Sequence, residues 1–188
     1  LFVVGEVLQL SEGRTARPLL GKKILVTRAR HQASSLREGL EALGAEAVLL
    51  PTIELSALPV DLDTLLRAVM EHRWIIFTSP NAVEYFFRLL FEAGMDSRSL
   101  RHTRLAVLGP MTSRSLEAYG LRADFQPSVY NAEVFAREFL ALYGEEAQGE
   151  GILLPCSALA QDTLPKALAE VGLSYTRLPL YANRAIEY

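Results

Sequence analysis

A short apolar strand that leads directly into a helix start is the feature that most restricts the fold of this 188-residue chain. Ile75–Phe77 form an unbroken apolar run, the pattern of a strand covered on both faces. Ser79 is a favourable N-cap, and Pro80 suits the first helical position. Apolar residues then recur at helical spacing, at Val83, Phe86, Phe87 and Leu90. This combination predicts a helix packed on a sheet that is buried on both sides.

Strands and helices alternate along the rest of the chain. Besides 75–77, strands are predicted at 1–8, 23–27, 47–50, 105–108, 123–125, 152–154 and 175–181, with an extended crossing at 51–59. Helices are predicted at 32–43, 80–93, 110–119, 132–143 and 158–171. A further helix is predicted after an Asp61 cap, with Leu62, Leu65, Leu66 and Val69 as its apolar face. Short connections between such elements predict an α/β fold with a parallel, doubly wound sheet.

Four loops stand where ligands bind on such sheets, beyond the carboxyl ends of the strands. They are residues 78–81, 109–112, 127–131 and 155–158, and all are rich in Ser, Thr, Asn, Gly or Pro. Backbone N–H groups at helix starts can hold a carboxylate or a phosphate. The alternative is that these are ordinary helix caps, which an α/β protein needs in any case.

Two other parts of the chain allow two interpretations each. Arg28 and Arg30 follow the first strand, where they could meet an acidic ligand or form a solvated helix face. Tyr181 ends the last predicted strand. Its ring could pack in the core, or its phenol could donate a proton at a cleft.

Several classes of function are disfavoured by composition and by missing motifs. The sequence has no Walker A motif, no G-x-G-x-x-G and no G-x-S-x-G elbow. The three histidines are scattered, so no metal site is predicted, and Cys156 is expected in a loop without a basic neighbour. A net charge of −3 without basic runs argues against nucleic-acid binding.

The compartment is also suggested by composition. Every apolar run is far shorter than the ~20 residues that a spanning helix needs, so no membrane segment is predicted. A single cysteine fits a reducing compartment, and a cytoplasmic location is expected.

Ordered segments between residues 24 and 181 resemble the uroporphyrinogen-III synthase family. They are I-L-V-T-R-A-R (24–30), L-G-A-E-A-V-L-L-P-T-I-E-L (43–55), I-F-T-S-P-N-A-V-E (76–84), V-L-G-P-M-T-S-R-S-L (107–116), N-A-E-V-F-A (131–136), L-L-P-C (153–156), L-P-K-A-L (164–168) and L-P-L-Y (178–181). In front of them, V-V-G-E-V-L-Q-L (3–10) and R-P-L-L-G-K-K (17–23) resemble the tail of a uroporphyrinogen-III C-methyltransferase at its junction with a synthase.

The resemblance implies two flavodoxin-like lobes joined by two extended crossings. Residues 1–21 would be methyltransferase tail and linker, 22–55 a β-α-β stub of the first lobe, 56–181 the complete second lobe, and 182–188 the crossing back. The stub would expose apolar surface, and we expect it to pack against another copy of the chain or to be poorly ordered.

The activity implied is that of a lyase, a hydro-lyase that cyclises the linear tetrapyrrole hydroxymethylbilane to uroporphyrinogen III. Ring D is inverted through a spiro intermediate, and neither a metal nor an organic cofactor is used. Tyr181 would help the hydroxyl leave. Arg28 is a candidate for binding an acidic substrate group because of its position after the first strand, and the resemblance does not add to this. Backbone amides would hold substrate carboxylates at Ser79, Asn81, Ala82, Thr112 and Ser157, the last two at their helix starts.

Two alternatives stay open. One is a non-catalytic, flavodoxin-like binding or interaction module. The other is that the activity assigned to the chain belongs to a uroporphyrinogen-III C-methyltransferase fused to it. Because the family's substrate cleft needs both lobes, we expect residues 1–188 alone to be inactive or very feeble.

Overall fold

A computed structural model describes residues 17–186, without the side chains at 30–32, 148 and 150. The strand predicted at 1–8 and most of the predicted tail and linker lie outside the described residues. The described chain divides into two compact units, with boundaries between Leu55 and Ser56 and between Asn183 and Arg184.

The smaller unit contains the predicted β-α-β motif. Strand β1 (Lys23–Val26), helix α1 (Arg30–Ala42) and strand β2 (Glu46–Leu49) follow one another, and the two strands pair in parallel. Gly44 makes the turn after α1 with φ +94°, a backbone conformation that residues other than glycine rarely adopt. Apolar side chains of this unit are exposed, among them Leu25 at 55% and Val48 at 43%.

The larger unit is built on a five-stranded sheet in the order β3-β7-β6-β4-β5. The strands of this sheet are β3 (Ile53–Ala57), β4 (Trp74–Phe77), β5 (Arg104–Val107), β6 (Ile152–Ser157) and β7 (Tyr175–Ala185). The first residues of β3 and the last of β7 belong to the smaller unit. The pairs β4–β5, β4–β6 and β6–β7 are parallel, which confirms the predicted fold class.

The edge strand β3 runs antiparallel to β7. The N–H of Leu58 donates to the carbonyl of Leu180, and that of Ile186 donates to the carbonyl of Thr52. Residue numbers therefore rise along one strand as they fall along the other. The extended crossing predicted at 51–59 is thus a strand with a partner.

Helices cover both faces of the larger sheet. They are α2 (Leu62–Glu71), α3 (Pro80–Glu92), α4 (Pro110–Glu117), α5 (Ala132–Glu150) and α6 (Thr163–Glu170), with a short 3-10 helix at Ser97–Leu100. Helix α3 packs beside α4, and α5 packs beside α6. Among the described residues, no helix combines the length and the apolar character that crossing a membrane requires.

Strand β4 lies at the centre of the core, and all four of its residues are fully buried. Trp74 and Ile76 pack into a cluster with α5 and α6 that includes Phe139. Phe77 faces the other way and meets the ring of Phe86 on α3 at 5.4 Å. Successive strand residues point to opposite faces, so the predicted burial on both faces is confirmed.

Some predicted boundaries are wrong. The strand predicted at 123–125 is only an isolated bridge between Ala106 and Phe125, because the Asp124 carboxylate accepts the N–H of Leu105. Helix α5 runs on to Glu150, and its late residue Ala147 is fully buried.

The predicted apolar face of α2 is also partly wrong. Its buried residues are Leu65, Ala68 and Val69, whereas Leu62 and Leu66 are exposed.

Candidate functional site

The junction between β4 and α3 forms as the sequence predicts. Ser79 is extended, with φ −151° and ψ 154°, and its Oγ accepts the N–H of Ala82 at 3.2 Å. Pro80 follows as the first helical residue. The side chain thereby satisfies a backbone donor that an uncapped helix leaves without a partner.

A buried tyrosine contacts this helix start. Tyr181 on β7 is 5% exposed, and its phenol oxygen lies 3.2 Å from Ser79 Oγ, where either atom can donate. Burial raises the pKa of the Tyr181 phenol above its ordinary value, while hydrogen bonds with Ser79 and Asn81 act in the opposite direction. The phenol is therefore protonated at neutral pH and available as a donor.

Ser157 lies next to Tyr181 but does not start a helix. It is the last residue of β6, pairs with Tyr181 and follows a register shift at Cys156. The N–H of Ala158 donates to the Tyr181 carbonyl at 2.8 Å, and Ser157 Oγ accepts the N–H of Leu159 at 3.3 Å. The prediction that Ser157 stands at a helix start is therefore wrong.

Helix α6 begins five residues later than predicted, at Thr163 rather than at residue 158. Asp162 makes no capping hydrogen bond, because its carboxylate is bonded to Arg177 on β7 at 2.6 Å. Arg177 also donates to the carbonyl of Ala160 at 2.8 Å. These bonds hold residues 158–162 as a turn against β7.

Two predicted carboxylate-binding amides are occupied within the protein. The N–H of Ala82 donates to Ser79 Oγ, and the N–H of Thr112 donates to the carbonyl of Gly109 at 3.1 Å. The Thr112 side chain is buried, 3% exposed, on α4 beside α3. An acidic ligand at either amide would have to share or displace an existing hydrogen bond.

The structure brings only part of the predicted set together. Ser79, Asn81 and Ser157 meet at Tyr181. Arg28 is exposed and follows β1 in the smaller unit, whereas the other predicted residues belong to the larger unit.

A cavity of about 360 Å³ lies near this cluster, and the sequence did not reveal it. Three of the four predicted loops contribute to its lining, through Thr78, Asn131, Pro155 and Cys156. Thr163 and Arg177 also line it. None of the predicted site residues lines it. The signal that could have found it is Arg177, a single arginine in the otherwise uncharged strand predicted at 175–181.

Cys156 is not placed as expected. It is buried within β6 rather than in a loop, and it has a basic neighbour in Arg177. Hydrogen bonding to Cys156 and to Asp162 raises the pKa of Arg177, so the guanidinium stays charged.

Among residues 17–186, no cluster of three or more His, Cys, Asp or Glu side chains is arranged to hold a metal ion.

Comparisons with known proteins agree on one family. The family profile described as uroporphyrinogen-III synthase HemD matches residues 34–188. The porphyrin biosynthesis protein HemD of Ruminiclostridium josui is 34% identical over 99% of this chain and 37% of its own length. The uroporphyrinogen-III synthase of Synechococcus elongatus is 33% identical over 89% of this chain and 63% of its own length.

Solved structures match the same fold. A crystal structure of a mutant uroporphyrinogen-III synthase from Thermus thermophilus has a TM-score of 0.64 at 18% identity, over 88% of this chain and 64% of that one. The Helicobacter pylori enzyme has a TM-score of 0.52 at 20% identity, over 76% of this chain and 58% of that one.

The chain spans between a third and two thirds of the length of these relatives, from 37% to 64%. The profile match nevertheless covers most of the chain, from residue 34 to residue 188. This chain belongs to the uroporphyrinogen-III synthase family.

Proposed function

We propose that this chain is part of a uroporphyrinogen-III synthase, a lyase that converts hydroxymethylbilane to uroporphyrinogen III with inversion of ring D. Family membership supports this reaction. The observation that carries the proposal is the buried phenol of Tyr181, which lies 3.2 Å from Ser79 Oγ at the start of α3.

In this proposal, Tyr181 assists loss of the terminal hydroxyl of the substrate. The phenol donates its proton to that hydroxyl, which leaves as water, and an azafulvene cation remains. Ring D attacks the cation through its substituted carbon, and the spiro intermediate rearranges. The proton released when the last pyrrole ring regains its aromaticity restores the phenol. Holding the flexible chain in a curled conformation supplies much of the acceleration.

The eight substrate carboxylates would be held by several weak contacts. The contacts at the starts of α3 and α4 would be the amides of Asn81, Ala82 and Thr112, of which the last two would share their present hydrogen bonds with a carboxylate. Ser157 lies beside Tyr181. Each helix-start contact contributes about 0.3–1 kcal/mol. Arg28 would add a positive charge. The proposal requires neither a metal nor an organic cofactor.

The experiment is to supply hydroxymethylbilane to the full-length protein and to separate isomers I and III. Uncatalysed closure gives isomer I, so enrichment of isomer III is expected from the enzyme. Tyr181→Phe should slow isomer III formation, whereas Tyr175→Phe on the same strand should not. If the full-length protein yields only isomer I, it is not the synthase, and the non-catalytic module is favoured.

Residues 1–188 should be assayed beside the full-length protein. We expect this chain alone to be inactive or very feeble. Rapid formation of isomer III by residues 1–188 would contradict this.

We also propose that a methyltransferase segment precedes the synthase. The similarity of residues 3–10 and 17–23 to a methyltransferase tail supports this. The full-length protein should then transfer methyl groups from S-adenosylmethionine to uroporphyrinogen III. Absence of this transfer, or an unrelated sequence ahead of residue 1, would contradict it.

Two further proposals concern assembly and location. Exposed Leu25, Val48, Leu36 and Leu43 support self-association of the smaller unit, which analytical ultracentrifugation of residues 1–188 would detect as a mass above that of one chain. A single cysteine supports a cytoplasmic location, which cell fractionation would test.

A further inference from the structure

A second tyrosine ring lies against Tyr181. Tyr85, on α3, has its ring centroid 4.8 Å from that of Tyr181, with 18° between the ring planes. This distance falls within the range of stacked aromatic pairs. Tyr85 is half-buried, whereas Tyr181 is nearly inaccessible.

Tyr85 has a further contact with its own helix. The guanidinium carbon of Arg88 lies 5.5 Å from the Tyr85 ring centroid. Arg88 is in turn bonded to Glu92 at 3.2 Å, one helical turn further on. A cation within about 6 Å of an aromatic face is attracted to it. Arg88 therefore favours an ordered position for the Tyr85 ring.

The two contacts on Tyr181 restrain different parts of its side chain. Ser79 contacts the phenol oxygen at 3.2 Å, and Tyr85 contacts the ring face. Hydrogen bonds at the phenol oxygen, with Ser79 and Asn81, fix that atom but leave the ring plane able to rotate about the axis through it. A stacked ring removes this freedom. Because Ser79 and Tyr85 belong to one helix and its cap, a single rigid element supplies both restraints.

We propose that Tyr85 is a positioning residue that holds the Tyr181 phenol in the orientation needed to donate to the leaving hydroxyl. The inference rests on the proposed function and adds to it a residue that acts through Tyr181. The ring of Tyr85 is the part that matters, and its hydroxyl is dispensable.

The first test is steady-state kinetics of isomer III formation by the full-length protein. Tyr85→Leu removes the ring and should lower kcat about tenfold, part of the ~10²–10⁴ that a positioned proton donor supplies, with KM changed less than about twofold. Tyr85→Phe keeps the ring and should stay within about twofold of the unmodified protein. Phe91→Leu, also an aromatic loss on α3 but packed on Phe87 and Tyr119, is the matched control.

Two kinetic outcomes would overturn the inference. One is a Tyr85→Leu variant whose kcat equals that of Phe91→Leu. The other is an equal loss in Tyr85→Phe. A double variant adds a third criterion, since Tyr85→Leu should cost nothing further on a Tyr181→Phe background. A full additional loss would mean that Tyr85 acts independently of Tyr181.

An NMR test of the ring contact does not depend on the protein being catalytically active. In NMR spectra of protein with labelled tyrosine, the Tyr181 ring signals are identified by their loss in Tyr181→Phe. Stacking on Tyr85 should give them a ring-current shift that Tyr85→Phe keeps and Tyr85→Leu removes. Unchanged signals in Tyr85→Leu would reject the positioning even if the protein makes isomer III. Conversely, exclusive production of isomer I would reject the proposed function even if the shift is seen.

Discussion

The two strand-to-helix junctions beside Tyr181 are built in different ways. At the first, β4 ends at Phe77 and α3 begins at Pro80, with Ser79 as a side-chain cap. At the second, β6 ends at Ser157 and α6 begins only at Thr163, without a side-chain cap. The turn between them is instead held by Arg177 from β7.

The difference separates local from distant determinants of a helix start. Ser79 and Pro80 are adjacent in sequence and need no other part of the chain to begin a helix. At the second junction, Asp162 is the natural capping residue, but its carboxylate bonds to Arg177, fifteen residues away. The first junction should therefore tolerate changes elsewhere, and the second should respond to a change on β7.

The largest expected effects come from the strands that lead into the junctions, which are buried alike. Phe77→Ala should lower the free energy of unfolding by about 3–5 kcal/mol, and Leu154→Ala by about 2–5 kcal/mol. Urea denaturation followed by circular dichroism measures both. Leu159→Ala, 75% exposed in the turn, is the control and should stay within about 0.5 kcal/mol. A near-neutral Leu154→Ala would contradict equal burial of the two strands.

The next effect distinguishes the caps. Ser79→Ala removes the acceptor of the Ala82 N–H and the partner of the Tyr181 phenol, and should cost about 1–2 kcal/mol. Asp162→Ala should cost less than about 1 kcal/mol, because it removes only a partly exposed ion pair. The same urea titrations measure both variants. An Asp162→Ala cost equal to that of Ser79→Ala would show that the second junction is also capped.

A smaller effect tests the distant restraint. Arg177→Met should cost about 0.5–1 kcal/mol and should speed amide hydrogen exchange at Leu159 and Ala160, whose N–H groups donate to Ser157. Exchange at Ala82 should stay unchanged. Arg98→Met, which removes the local ion pair with Asp96, is the control. Equal acceleration at both junctions would contradict the separation.

The smallest effect, absent at neutral pH, concerns Tyr181, which contacts both junctions. Burial raises its pKa in the folded protein above the ~10 of an unfolded chain, so the folded state keeps the proton longer. The free energy of unfolding should therefore fall as the pH rises above about 10, until the folded phenol has also ionised. Tyr181→Phe should remove this part of the fall. Identical dependence of the unfolding free energy on alkaline pH in Tyr181→Phe and in the unmodified protein would contradict this. Tyr119→Phe serves as the comparison, because the pKa of the Tyr119 phenol is also raised.

Much of the fold followed from local patterns. The uninterrupted apolar run at 75–77 and the caps at Asp61 and Ser79 predicted elements that the structure contains. Such signals act within a few residues, so the sequence alone carries them.

The errors arose where distant partners decide the structure. Residues 158–162 would suit a helix, but Ala158 bonds to the Tyr181 carbonyl and Ala160 to Arg177. Residues 123–125 were predicted as a strand, but the Asp124 side chain takes the place of a ladder acceptor.

The candidate site shows the same division. The sequence by itself determined that Ser79 caps α3, and the resemblance pointed to Tyr181 as a functional residue. Only the tertiary structure decided that these side chains, 102 residues apart, meet at 3.2 Å, that Tyr85 stacks on the same phenol, and that Arg177 reaches Asp162 and the Ala160 carbonyl. Capping depends on neighbouring residues, whereas these contacts depend on the order and register of β6, β7 and β4 in the sheet, which no short stretch of sequence encodes.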